Sequence, residues 1–128
     1  MNNLILFSRI IIMKEYFGGC HCGAIKFKFS SEESIEIWKC NCSICKMSDY
    51  EHLFINHKDF KIIKGNNQLS EYSFGTKQAK HLFCKSCGMK SFYQPRSHPD
   101  SYSVNLKCVD KPPKVMNIVN FDGENEYK

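Results

Sequence analysis

The chain has 128 residues, 42% of them hydrophobic and 13% aromatic, which suits one domain with a modest core. The formal charge is +5, yet the positive side chains are nearly all lysine, with Arg9 and Arg96 the only arginines. Arginine is the usual bidentate reader of guanine, so this composition argues against direct base readout. The apolar runs Leu4-Ile5-Leu6-Phe7 and Ile10-Ile11-Ile12 are split by Arg9 and fall short of the ~20 residues that cross a bilayer, so no membrane partner is expected.

In chain order, residues 1–12 read as an optional extension, because Met13 begins a plausible alternative start and no basic region precedes the apolar runs as in a signal peptide. Residues 13–123 read as one domain in which strand signals dominate. Ile25, Phe27 and Phe29 alternate with Lys26 and Lys28, the period of a half-buried strand. Ile35 to Lys39 predicts a second strand, running into a group of cysteines. Leu53 to Ile55 and Phe60 to Ile63 predict short strands, the latter stopped by Gly65-Asn66-Asn67. Tyr72 and Phe74 alternate with polar neighbours. Ala79 to Phe83, Met89 to Tyr93, Tyr102 to Leu106 and Val115 to Val119 complete the set. Helix is expected only as short turns, near Cys45 to Asp49 or His57 to Phe60. Residues 124–128 read as a polar tail that frays. The fold class is mainly β.

Seven of the eight cysteines fall into three clusters: Cys20-x-Cys22, Cys40-x-Cys42-x-x-Cys45 and Cys84-x-x-Cys87. A disulfide scaffold is the plain alternative, but the apolar core is ample and the Cys-x-Cys spacing suits a shared metal better than two bridges. A reducing compartment, cytoplasmic or nuclear, follows. One zinc ion takes four ligands, so seven thiolates divide into four, which close a structural site, and three, which leave a position open. Cys20 and Cys22 on one strand would face the same way. Cys84-Lys85-Ser86-Cys87-Gly88 has the form of a zinc knuckle, whose glycine takes a positive φ while backbone N–H groups point at sulfur. Cys20, Cys22, Cys84 and Cys87 make a self-consistent quartet, leaving Cys40, Cys42 and Cys45 as an open trio. Spacing alone also allows Cys42 and Cys45 to pair with Cys84 and Cys87.

Other candidates are weaker. Cys108 is expected to be a small buried hydrophobe, with a fourth ligand or nearby nucleophile for the trio as the sharper alternative. His81, three residues before Cys84, reads first as a strand histidine and second as a ligand or supporting donor. His21, His52, His57 and His98 have no partner spacing. Trp38, Phe92 and Tyr93 read as core or pocket wall.

The segments Gly18-Gly19-Cys20-His21-Cys22-Gly23-Ala24, Cys40-Asn41-Cys42-Ser43-Ile44-Cys45-Lys46 and Phe83-Cys84-Lys85-Ser86-Cys87-Gly88 resemble the family of glutathione-dependent formaldehyde-activating enzymes and centromere protein V. Ser91-Phe92-Tyr93 and Pro95-Arg96-Ser97 extend the resemblance over about residues 16–123, and Cys108-Val109-Asp110 is similar to the closing motif of the centromere protein V branch. The resemblance implies twisted antiparallel β-sheets cross-linked by zinc, related to the fold of the mammalian suppressor of secretion. It implies two zinc ions per chain: a structural one on Cys20, Cys22, Cys84 and Cys87, and a second, reactive one on Cys40, Cys42 and Cys45. It implies a carbon–sulfur lyase that forms or cleaves S-hydroxymethylglutathione, with a small thiol such as glutathione and an aldehyde as partners. Arg96 and nearby lysines would then hold glutathione carboxylates. The competing expectation is a noncatalytic zinc-stabilised module binding protein or nucleic acid.

Overall fold

A computed structural model describes residues 11–126; residues 1–10 of the expected extension and residues 127–128 of the expected tail lie outside the described part. In chain order the strands are β1 (Met13–Gly19), β2 (Lys26–Glu32), β3 (Ser34–Cys40), β4 (His52–Asn56), β5 (Phe60–Lys64), β6 (Leu69–Tyr72), β7 (His81–Cys84), β8 (Phe92–Tyr93), β9 (Ser101–Asn105) and β10 (Lys114–Phe121). Among the described residues two short α-helices accompany them, α1 (Ser43–Ser48) and α2 (Gly123–Glu126). Single 3₁₀ turns occupy His57–Asp59, Asn66–Gln68 and Leu106–Cys108. The chain is mainly β, as the alternating patterns require.

The strands form a three-stranded sheet β1-β2-β5, a five-stranded sheet β10-β3-β4-β9-β8 and the hairpin-like pair β6-β7. Ile25, Phe27 and Phe29 turn inward and meet Ile35, Ile37, Leu53, Phe92 and Val104 of the larger sheet in one core. Phe27 packs face-tilted on Phe60 at 5.1 Å and edge-on to Phe92 at 5.6 Å. Each such ring contributes roughly 1.5–3 kcal/mol by leaving water.

Three local expectations change. First, β1 has no alternation to announce it, since Tyr16 and Phe17 are adjacent and Phe17 stays exposed. Its Gly18 lies over the Phe27 ring and the Cys108 carbonyl, where a Cβ would collide. Second, the sheets are antiparallel except at β3 and β10, which pair in parallel with a bulge between Val115 and Asn117. Third, the chain after Asp122 turns into a short helix, Gly123–Glu126, whose start is tied down at Asp122 and Glu124 where fraying was expected from residue 124. Asn41 Nδ2 donates to Asp122 Oδ1 at 3.1 Å, and the Glu124 N–H donates to Asn41 Oδ1 at 2.9 Å. The parallel pairing is what matters for the site. It sets Phe121 beside Cys40, so the turn that follows, at Gly123, lands on the middle cysteine cluster.

Candidate metal centres

The quartet forms where two turns meet. Cys20 and Cys22 follow β1, but on a turn closed by the Gly23 N–H donating to the Cys20 carbonyl at 3.2 Å, not on a strand as their spacing suggested. Gly23 takes φ +81°, which lets the chain reverse and present both sulfurs to one point. Cys84 ends β7 and begins the expected knuckle: Gly88 has φ +76° and donates its N–H to the Cys84 carbonyl at 2.9 Å. Backbone N–H groups also reach the sulfurs, from Ile25 to Cys20 at 3.2 Å and from Ser86 to Cys84 at 3.3 Å. Hydrogen bonds to sulfur favour the thiolate. The N–H of Cys87 acts first in holding the Cys84 thiol below its usual range. The N–H of Met89 does the same for Cys87, taking it to about 6.

The sulfurs fit a tetrahedral ion. Cys22 Sγ lies 3.7 Å from both Cys20 Sγ and Cys84 Sγ, and all four sulfurs lie within 4.8 Å of one another. A tetrahedron with ~2.3 Å zinc–sulfur bonds has edges of roughly 3.8 Å. None of the eight cysteines is in a disulfide.

The trio comes from one short stretch. Cys40 ends β3, Cys42 caps α1 with an extended backbone, and Cys45 lies on the buried face of that helix. Asp49 ends the helix in the left-handed region, φ 52°, and its side chain pairs with Lys39 and Lys107. The three sulfurs also lie within 4.8 Å of one another, and no fourth His, Cys, Asp or Glu atom joins them among the described residues. Without a cation they cannot all ionise. Hydrogen bonding from Cys40 and Cys45 pulls the Cys42 thiol down, whereas contact with Cys40 and Cys42 pushes Cys45 far up. A divalent ion would remove that conflict, so the donor set suits a soft metal with one position left open.

The two clusters differ in what surrounds them. Cys40, Cys42 and Cys45 line a cavity of about 570 Å³, whereas no quartet cysteine does. Its walls include Trp38, Phe54, Phe74, Tyr93 and Phe121, and Arg96 and Glu124 also line it. Trp38 stacks on Phe121 at 5.0 Å and meets Phe54 edge-on at 5.2 Å. Phe92, by contrast, is core. Arg96 Nη1 donates to Thr76 Oγ1 at 3.2 Å, which orients the guanidinium at the wall.

Several site residues were not legible from spacing. His52, treated as background, is buried, with Nε2 3.3 Å from Cys45 Sγ and Nδ1 2.7 Å from Ser103 Oγ. Burial, with help from the Lys90 charge, pushes this histidine down to about 3, so its ring is neutral. With Cys45 as a thiolate, Nε2–H donates to sulfur and Nδ1 accepts from the Ser103 hydroxyl. Gly123 lies so near Cys40 that a Cβ would sit 2.5 Å from the sulfur. His81, expected to be an ordinary strand histidine, lines the same cavity. Cys108 is half-buried and joins neither group of sulfurs, so the fourth-ligand alternative fails. Burial and then the Cys20 and Cys87 thiolates raise its pKa to about 11, which leaves it a protonated thiol on the quartet's side. His21 and His57 lie outside the cavity lining, while His98 stacks on Phe54 at 3.7 Å behind it.

The profile of the glutathione-dependent formaldehyde-activating enzyme family matches residues 15–121, most of the chain. The chain belongs to this family. A putative glutathione-dependent formaldehyde-activating enzyme of Halomonas elongata is 24% identical over 115 residues, spanning 80% of this chain and 73% of that protein. An uncharacterized lyase of Schizosaccharomyces pombe is 24% identical over 125 residues, spanning 84% and 88%. The crystal structure of a Rhodobacter sphaeroides protein superimposes with a TM-score of 0.68 at 28% identity, covering 80% of this chain and 99% of that one. The family match takes in all seven clustered cysteines and the cavity residues from Trp38 to Phe121. Among the described residues no helix is long and apolar enough to cross a membrane.

Proposed function

We propose that the protein is a zinc-dependent carbon–sulfur lyase that forms or cleaves a small thiol–aldehyde adduct, with S-hydroxymethylglutathione as the reference substrate. The observation that carries this reading is the asymmetry of the clusters. Three sulfurs with no fourth protein donor among the described residues line a cavity that can take an organic molecule, while none of the quartet's four sulfurs lines it. The family membership and the lyase name of one relative point the same way.

On this reading Cys20, Cys22, Cys84 and Cys87 hold a structural zinc and Cys40, Cys42 and Cys45 a second, reachable one. When bound by the trio, zinc would supply Lewis acidity and favour the thiolate form of a substrate thiol. The chain's own residues do the rest. His52 orients Cys45 by its hydrogen bond and is itself fixed by Ser103. Trp38, Phe54 and Phe121 exclude water and hold the substrate's carbon skeleton against the sulfurs. Arg96 offers charge to a carboxylate of the thiol. In synthesis the thiol sulfur bonds the aldehyde carbon, and the thiol proton ends on the oxygen. In cleavage the carbon–sulfur bond breaks, sulfur keeps the electron pair and takes a proton, and the aldehyde leaves.

Within the family we place the chain nearer the centromere protein V branch, because Cys108-Val109-Asp110 resembles that branch's closing motif. These residues stitch β1 down: Gly18 bridges to Val109, and the Asp110 N–H donates to the Phe17 carbonyl at 2.8 Å. A reducing intracellular compartment suits seven free cysteines kept as thiolate ligands.

The test is to count zinc in the purified protein and to follow formaldehyde loss with glutathione and several other thiols. The reading requires two zinc ions per chain and thiol-dependent turnover. In Cys42→Ser it requires one retained ion, a retained fold and loss of turnover. Two-zinc protein that neither makes nor cleaves any hydroxymethyl-thiol adduct contradicts it. Tight association with protein or nucleic acid that survives loss of the second ion would favour the noncatalytic module instead.

A further inference from the structure

The cavity holds a second histidine whose chemistry is set by a different neighbour. His81 is only 6% exposed, and its ring stacks between Tyr93 at 4.9 Å and Phe74 at 5.4 Å. Its Nδ1 lies 2.6 Å from Lys90 Nζ. Among the described residues that ammonium has no carboxylate partner. It sits 3.7 Å above the Tyr93 ring and 5.1 Å from the Tyr50 ring instead. An ammonium donates only, so Nδ1 must accept, and a neutral His81 then carries its proton on Nε2.

Where that proton goes is the informative point. Every buried side-chain nitrogen or oxygen among the described residues has a hydrogen-bond partner. Among those residues His81 Nε2 has none, although Nδ1 does, so Nε2 is an accessible atom on a residue that lines the cavity. His52 differs: both of its ring nitrogens are occupied, by Cys45 and Ser103. One histidine supports a ligand, and the other presents a donor to whatever enters. Burial and the adjacent Lys90 charge hold His81 down at about 4, which keeps it neutral and its tautomer defined.

We infer that His81 is a catalytic residue whose Nε2–H donates a hydrogen bond to the oxygen of the aldehyde or of its thiol adduct, with Lys90 as the positioning residue that fixes the tautomer. The inference rests on the lyase reading of the cavity and extends it to the oxygen end of the substrate. The sulfur end meets the Cys40, Cys42 and Cys45 side of the same cavity. Charge grows on the oxygen as the carbon–sulfur bond forms or breaks, which is where a fixed donor lowers a barrier.

Two measurements test it on zinc-loaded protein. Nitrogen-15 NMR of the histidine rings should find the His81 proton on Nε2. Glutathione with formaldehyde should shift that signal, and S-methylglutathione, which lacks the hydroxymethyl oxygen, should not. A proton on Nδ1, or equal shifts with both probes, overturns the inference. In kinetics, His81→Phe should keep both zinc ions, lower kcat about 100-fold and leave KM within about threefold, as for loss of one oxyanion donor. His81→Gln restores an N–H donor and should recover about tenfold of that loss, and Lys90→Met should cost about tenfold. A two-zinc His81→Phe protein with kcat within about threefold of wild type overturns the role while leaving the lyase reading intact. If the wild-type protein turns over no adduct, the lyase reading falls, and with it the substrate half of the inference.

Discussion

The quartet and the trio use the same ligand in opposite ways. Cys22 and Cys84 are 62 residues apart, and Cys20 and Cys84 belong to the hydrophobic core. An ion there would close a long loop and tie β1 to β7, so its binding free energy would become folding free energy. The trio spans only residues 40 to 45 and faces a cavity. An ion there closes almost no loop and supports little of the fold. Metal that bridges distant segments is structural because of the chain it joins. Metal held by one turn is free to be reached.

That contrast can be broken from either side. The largest effect belongs to Cys84→Ser, which removes a fully buried member of the quartet. Structural zinc is worth ~10 kcal/mol in small domains, comparable to the whole stability of a domain this size. The expected outcome is loss of cooperative folding by circular dichroism, with both zinc ions gone. His52→Phe comes next. It removes the hydrogen bond to Cys45 while keeping a ring in the pocket, and should weaken the second zinc by about 10–100-fold in chelator competition. The quartet's zinc and the melting transition should hardly move. Gly123→Ala is subtler: its new methyl group would press on the Cys40 sulfur. Turnover should fall by about tenfold as one ligand shifts by a fraction of an ångström, with the fold intact in the same melt. The smallest effect is expected of Cys108→Ala. It should cost no more than ~1–2 kcal/mol in denaturant titration and leave both zinc ions in place.

Local information in the sequence reached far here. Clustered cysteines are contiguous, so their grouping needs no tertiary structure, and the Gly88 knuckle carries its own turn signal. Strands with a buried and a solvated face, such as β2 and β3, advertise themselves by alternation. The rest was hidden for identifiable reasons. β1 places a glycine where its inward side chain would be, so the alternating pattern is absent. Cys20 and Cys22 bring their sulfurs to 3.7 Å through a turn, which the same i, i+2 spacing does not distinguish from a strand. His52, His81 and Gly123 are isolated in sequence. They reach the cavity only through the β4–β9 pairing, the β6–β7 pair and the parallel β3–β10 pairing. Nothing short-range marks a histidine as having one nitrogen tied and one open.

The most direct test removes zinc stepwise with a chelator while zinc release, circular dichroism and turnover are read on one sample. The account predicts two phases. One ion leaves first and takes the activity with it while the fold persists, and the second leaves only as the domain unfolds. Release of both ions in a single unfolding transition, or full turnover after the first has gone, would contradict it.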